Sequence, residues 1–150
     1  MNFLLDTNVV SELTKPCPNP GVVTWLAEID EDRVFISVIT LAELRHGIER
    51  MAAGARRQRL DGWVTEDLTF RFEGRVLPVD AGTADRWGRV MARGQAAGRP
   101  VSPMNAFIAA TAEQHDLALV TSNGSDFEGL GIRLVNPWSG FTGSVHDPSG

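Results

Sequence analysis

Phe3-Leu4-Leu5 is a short apolar run that stops at Asp6-Thr7-Asn8, after which Val9, Val10 and Leu13 resume at helical spacing as far as Pro16. The pattern predicts a strand, a turn and a helix. Asn19 before Pro20 suits a cap and a first helical residue, and Val22, Val23, Leu26 and Ile29 fall on one face of the helix that follows. Val34 to Val38 reads as a second strand. A helix starting at Ser37 or Thr40 carries Leu41, Leu44 and Ile48, and beyond Gly54 a further helical stretch of about 15 residues begins at Ala55. Arg75 to Val79 fits a third strand, and Asp80 caps a helix whose Ala84, Trp87, Val90 and Met91 form an apolar stripe, its end weakened by Gly94 and Gly98. Ser102-Pro103 opens the next helix, which runs to about His115. Leu117 to Thr121 and Ile132 to Val135 complete the strands. Strands alternating with helices across short connections predict an α/β domain, a mostly parallel five-stranded sheet with helices on both faces. Ser139 to Gly150 has no periodicity and reads as a flexible tail.

Composition narrows the class. The chain has 150 residues, 43% hydrophobic and 22% charged, with a net charge of −5. That is enough apolar material for a sizeable core, and it excludes disordered and collagen-like chains. No window approaches the roughly 18 consecutive apolar residues of a membrane span, and Asp6 comes too early for a signal peptide, so a soluble cytoplasmic protein without membrane contact is expected. The lone Cys17 has no disulfide partner, and only His46, His115 and His146 accompany it, so any metal here is expected to sit among oxygen donors.

Net acidity argues against a general nucleic-acid coat, which needs a broad positive surface. Local basic rows are present all the same. Every basic residue except Lys15 is an arginine; Arg45, Arg50, Arg56, Arg57 and Arg59 share a segment holding one carboxylate, Glu49, and Arg86, Arg89 and Arg93 recur at helical spacing. Such rows are either solvated helix faces or phosphate-binding surfaces.

In an open parallel sheet the ligand site lies beyond the carboxyl ends of the strands. Asp6 follows the first strand, Glu43 lies on the helix after the second, Asp126 follows the fourth, and Asn105 stands near the start of the helix preceding the fourth. Clustered carboxylates repel unless a cation sits among them, and oxygen donors favour magnesium or manganese over zinc. Each residue also has a plainer role: Asp6 as a helix cap, Glu43 at a solvated helix edge, Asn105 beside free backbone donors, Asp126 in a turn. An aspartyl-nucleophile phosphohydrolase would need a second Asp two residues after Asp6, where Asn8 stands.

Leu4-Leu5-Asp6-Thr7-Asn8-Val9-Val10-Ser11-Glu12, Ser37-Val38-Ile39-Thr40-Leu41-Ala42-Glu43-Leu44-Arg45-His46-Gly47, Ala106-Phe107-Ile108-Ala109-Ala110-Thr111-Ala112 and Leu119-Val120-Thr121-Ser122-Asn123 through Asp126-Phe127 together resemble PIN-domain toxins of the VapC type, in their FitB-like branch. The resemblance runs from Asn2 to about Trp138, and implies a PIN-like α/β/α sandwich over residues 1–138. It further implies a magnesium- or manganese-dependent endoribonuclease, usually homodimeric and encoded with a small antitoxin that blocks the active site. The antitoxin carries the DNA-binding domain, so operator DNA would be reached only through it. A homodimer would also cover apolar surface left by four Trp.

On this reading Asp6, Glu43, Asn105 and Asp126 are catalytic. Asp6, Glu43 and Asn105 hold the metal, Asn123 or Asp126 supplies a fourth member, and Arg45, Arg50, Arg86 and Arg89 bind RNA. Two departures stand out: the family has Asp where Asn105 stands, and often an Arg after the threonine where Ser122 stands. An amide oxygen adds no negative charge, so Asn105 predicts weaker metal binding. The alternative is a catalytically impaired PIN domain that grips RNA or its antitoxin without cutting.

Overall fold

A computed structural model describes residues 1–139. Five parallel strands lie in the order β3-β2-β1-β4-β5, with β1 at Asn2–Leu5, β2 at Val34–Ser37, β3 at Val76–Leu77, β4 at Leu117–Val120 and β5 at Leu134–Val135. All four pairings are parallel, so the sheet goes beyond the mostly parallel one expected. Both of its faces are covered, which is why its strands read as unbroken apolar runs. Phe3 and Leu5 of β1, with Ala118 and Val120 of β4, pack on one face against Val9, Val10, Val22 and Trp25. Leu4, Leu117 and Leu119 point to the other, against Val90, Ala106, Ile108 and Ala109.

The helices on the first face are α1 (Thr7–Glu12) and α2 (Pro20–Glu28), followed after β2 by α3 (Val38–Glu49) and α4 (Ala55–Gly62). Asn19 caps α2 with its side-chain oxygen, and Ser37 caps α3, accepting from the Ile39 N–H at 3.0 Å; β2 therefore ends at Ser37, and Val38 is already helical. The helical stretch expected from Ala55 is present but changes pitch: a π-turn spans Trp63–Leu68 before the one-turn α5 at Thr69–Arg71. Thr69 Oγ1 donates to the Val64 carbonyl at 3.0 Å inside that turn, and Val64 and Leu68 both reach the interior. β3 is shorter than expected because Pro78 has no N–H to extend the ladder. β5 is shorter because it follows turns at Gly129 and Gly131, both in the left-handed region.

On the opposite face, α6 (Ala81–Ala96) packs on α7 (Pro103–Gln114). Trp87 stacks on Phe107 with ring centroids 5.3 Å apart, and its indole N–H donates to the Pro103 carbonyl. Gly94 continues the helix, where a weak end was expected; a Cβ there would meet the Arg99 carbonyl oxygen at 2.8 Å, so the glycine permits a close backbone approach. All four Trp are packed within the chain, Trp25 fully buried and Trp63, Trp87 and Trp138 against the two cores. Of the apolar surface invoked for a dimer, Trp25 supplies none, while Trp63, Trp87 and Trp138 stay half-buried. Among the described residues no helix is long and apolar enough to cross a membrane. Of the tail expected from Ser139, only Ser139 itself lies within the described residues, closing a short helical turn at Pro137–Ser139.

Asp80 caps α6 as expected. It accepts from the Thr83 N–H at 3.0 Å, while Gln114 of α7 donates to the same carboxylate at 3.0 Å. The Gln114 bond, reinforced by Thr83, pulls the Asp80 carboxyl down from 3.8 to about 2. A folded-state pKa below the unfolded one stabilises above the unfolded value, and that contribution is lost as pH falls from about 3.8 to about 2. Asp80→Ala is accordingly expected to lower the melting temperature at neutral pH and to lie closer to the parent at pH 2, as circular dichroism melts at the two pH values would show. An equal offset at both would place the effect in packing.

Candidate metal-binding active site

The strand order reverses between β1 and β4, and the carboxyl ends of these two neighbours build the site's floor. Asp6 directly follows β1, its own N–H bonded to the Val120 carbonyl at 2.9 Å. Its Oδ1 accepts the Thr7 N–H at 2.8 Å, so it is the cap of α1, and its Oδ2 accepts from Thr121 Oγ1 at 2.8 Å and from the Asn8 amide at 3.4 Å. The cap role and a site role are thus compatible. Thr121, the residue after β4, is buried and holds Asp6 from the neighbouring strand. The Asn8 amide also donates to Thr121 Oγ1 at 3.1 Å.

Glu43 projects from α3 one turn beyond its start. Its Oε1 accepts from Thr7 Oγ1 at 2.7 Å, which ties the second carboxylate to the residue after the first. Asp6 is buried whereas Glu43 is half-buried. Burial pushes the Asp6 carboxyl up, the Thr121 and Thr7 hydrogen bonds pull it down, and the Glu43 and Asp126 charges push it up again; the net direction is upward. Among the described residues no cation pairs with Asp6 to offset that burial.

Asn105 is the third residue of α7. Its backbone N–H is satisfied by Ser102 Oγ at 3.2 Å, and its side-chain amide makes no hydrogen bond among the described residues, so capping is the work of Ser102. The Asn105 side chain instead lines an open cleft of about 530 Å³ together with Asp6, Glu43, Asn123 and Lys15. Asp126 sits apart from them. It is exposed in the turn Gly124–Phe127, and it lines an adjoining cleft of about 460 Å³ with Arg99 and Ser125; Asn105 lines both. Asp126 therefore acts on Asp6 through its charge, and of the two residues named for a fourth member only Asn123 shares the first cleft.

The arginine rows are largely occupied within the chain. Arg45 binds Asp61 at 2.6 Å and Glu49 at 3.4 Å, Arg86 binds Glu113 at 3.1 Å, Arg93 joins the same Glu113 at 2.6 Å, and Arg89 binds Asp85 at 3.0 Å. Arg50 is exposed and has no ion pair among the described residues. Sequence reading missed Thr7, Asn8 and Thr121 as the groups that orient the carboxylates. It also missed Glu12, a buried carboxylate lining the same cleft.

A family model described as PIN domain matches residues 3–132. The chain belongs to the PIN-domain family. Among curated relatives of this PIN domain, VapC ribonuclease Y4jK of Sinorhizobium fredii is 38% identical over 91% of this chain and 97% of its own length. Toxin FitB of Neisseria gonorrhoeae is 35% identical over 91% of this chain and 98% of its own. Among solved structures, FitAB bound to an IR36 DNA fragment superposes with a TM-score of 0.85 at 33% identity, covering 91% of this chain and 95% of that one.

Among the described residues no three His, Cys, Asp or Glu side chains gather as a metal-binding group. The donor set of this PIN domain nevertheless fits a hard divalent cation. Magnesium is commonly held by one or two carboxylates while retaining several waters, and Asp6 and Glu43 supply two carboxylates to the cleft that the Asn105 side chain also lines. Among the described residues the one cation lining the cleft is Lys15, and its ammonium is engaged by Glu12 at 2.8 Å.

Proposed function

We propose that this PIN domain is the toxin of a toxin–antitoxin pair: a magnesium- or manganese-dependent endoribonuclease acting in the cytoplasm as a homodimer. A cognate antitoxin holds it in check and carries it to operator DNA. The observation that carries the catalytic reading is Asp6, a buried carboxylate at the switch point of the sheet that shares a cleft with Glu43 and Asn105 and, among the described residues, pairs with no cation. The toxin and antitoxin assignment is supported by relatives named VapC ribonuclease and Toxin FitB, and by the FitAB assembly on DNA.

Asp6, Glu43 and Asn105 are the residues that would hold the ion, which when bound supplies Lewis-acid neutralisation of phosphoryl charge. The chain's own part is orientation. Thr7 fixes Asp6 through its N–H and Glu43 through its hydroxyl, so one residue sets the spacing of both carboxylates. Thr121 and Asn8 hold the other Asp6 oxygen. Glu43 Oε1 is engaged by Thr7, so Oε2 would be the oxygen to accept a proton from attacking water. Exposed ion pairs contribute little, so RNA phosphates can compete for Arg45, Arg86 and Arg89, while Arg50 meets them without competition.

Incubating the chain with RNA in magnesium, in manganese and after chelation tests the reading, with cleavage expected only where a divalent ion is present. A second reading, a PIN domain that binds RNA without cutting it, is favoured by the missing charge at Asn105. Bound but intact RNA under both ions would establish that reading instead.

A further inference from the structure

Lys15 is the only lysine of the chain and, among the described residues, the only cation lining the cleft that holds Asp6, Glu43 and Asn105. Its ammonium is held by Glu12 Oε1 at 2.8 Å. Glu12 is itself fixed: its side chain is 7% exposed, and its Oε2 accepts the Asn19 N–H at 3.1 Å. The lysine bond pulls the Glu12 carboxyl below its ordinary value, so Glu12 stays ionised. Lys15 differs from its anchor in being 60% exposed, and it lines the open cleft.

The two partners of Glu12 do different things. The Asn19 bond joins the end of α1 to the cap of α2 and secures the intervening loop. The Lys15 bond spans three residues and adds no link between distant elements. What it does is hold a positive charge in a cleft whose other charged side chains, among the described residues, are the carboxylates Asp6, Glu12 and Glu43. An ammonium has three donors, so two remain for a ligand after Glu12 takes one.

We infer that Lys15, anchored by buried Glu12, is the phosphate-positioning residue of the cleft, contacting a backbone phosphate of single-stranded RNA next to the one cut beside Asp6 and Glu43. The inference rests on the ribonuclease reading and deepens it. Of the arginine rows, Arg45, Arg86, Arg89 and Arg93 are spent on Asp61, Glu113 and Asp85, and Arg56 lines a neighbouring cleft shared with Glu43 and Lys15. Lys15 supplies the local contact that sets strand register. As a positioning residue it governs substrate affinity more than turnover.

The test compares the full chain with Lys15→Met, Lys15→Arg and Glu12→Gln. The measurements are anisotropy binding of a labelled single-stranded RNA oligonucleotide across a salt series, steady-state cleavage, and melting temperature. Lys15→Met is expected to weaken binding and raise KM by roughly tenfold, the scale of one charge-assisted contact, with kcat nearly unchanged. The slope of log affinity against log salt should flatten by about 0.7, the value for one single-strand phosphate. Lys15→Arg should keep the slope. Glu12→Gln, which retains an acceptor for Asn19 but frees the ammonium, should raise KM by less, without flattening the slope. An unchanged slope and KM in Lys15→Met overturns the inference, and a lowered melting temperature with unchanged binding assigns the pair to structure alone. If the parent binds RNA without cutting it, the ribonuclease reading fails while the binding arm still decides Lys15. If the parent binds no RNA, both fail.

Discussion

Asp6→Ala is expected to reduce RNA cleavage by on the order of a thousandfold or more, the largest loss of any single substitution in this chain. Both carboxylate oxygens of Asp6 are held: Thr7 donates to one, Thr121 and Asn8 to the other. Removing it takes away a first ligand and orphans the groups that oriented it. A bound ion is worth several kcal/mol in the transition state, and about 4 kcal/mol corresponds to that factor in rate. Folding behaves differently. The Asp6 carboxylate is costly to bury, its carboxyl being pushed up by desolvation and then by Glu43 and Asp126. Asp6→Asn keeps an oxygen for Thr7 and removes that charge, which offsets the Thr121 and Asn8 bonds that an amide nitrogen in place of Oδ2 cannot accept. It is therefore expected to melt no lower than the parent in the absence of divalent ions, and to be as inactive as Asp6→Ala. Stability kept and activity lost in one isosteric substitution would separate a site residue from a cap. Cleavage by Asp6→Asn at the parental rate would reduce Asp6 to its capping bond.

The parts of this fold legible in the sequence are those written in local pattern. Phe3-Leu4-Leu5 and Leu117 to Val120 are continuous apolar runs because the sheet is buried on both faces, and their carboxyl ends are where Asp6 and Thr121 meet. Glu43 was legible because it interrupts an apolar helix, and Asn105 because Ser102-Pro103 fixes where α7 starts. What was not legible depends on groups far apart in the chain. The arginine rows show their spacing in sequence, but the carboxylates that engage them, Asp61 for Arg45 and Glu113 for Arg86 and Arg93, are brought in by tertiary packing. Thr7 and Thr121 carry no chemical signature of their own; only the parallel register of β1 against β4 makes Thr121 a neighbour of Asp6. The π-turn at Trp63–Leu68 follows apolar spacing close to that of an ordinary helix, so periodicity could not distinguish it.

Asn105→Asp is expected to tighten magnesium or manganese binding by ten- to a hundredfold, on the order of 1–3 kcal/mol for an added charge-assisted contact, and to speed cleavage at limiting metal. The substitution is nearly isosteric, and the Asn105 side chain forfeits no hydrogen bond among the described residues, since Ser102 carries the local cap. Its electrostatic effect has two opposing parts. A carboxylate in the first turn of α7 is favoured by the helix N-terminus. The same carboxylate joins a cleft already holding Asp6 and Glu43, so without metal it adds repulsion to a carboxyl that burial has pushed up. The melting temperature of the metal-free variant therefore has no decisive sign, and the quantity to read is the rise produced by metal. Ligand stabilisation grows with the logarithm of concentration over Kd, so tenfold tighter binding adds about 1.4 kcal/mol once both proteins are saturated. The metal-induced rise should be larger in Asn105→Asp than in the parent. It should vanish in Asp6→Ala, and high manganese should narrow the difference in cleavage between parent and variant. Equal metal-induced shifts in parent and variant would mean that Asn105 does not face the ion, leaving Asp6 and Glu43 to hold it without α7.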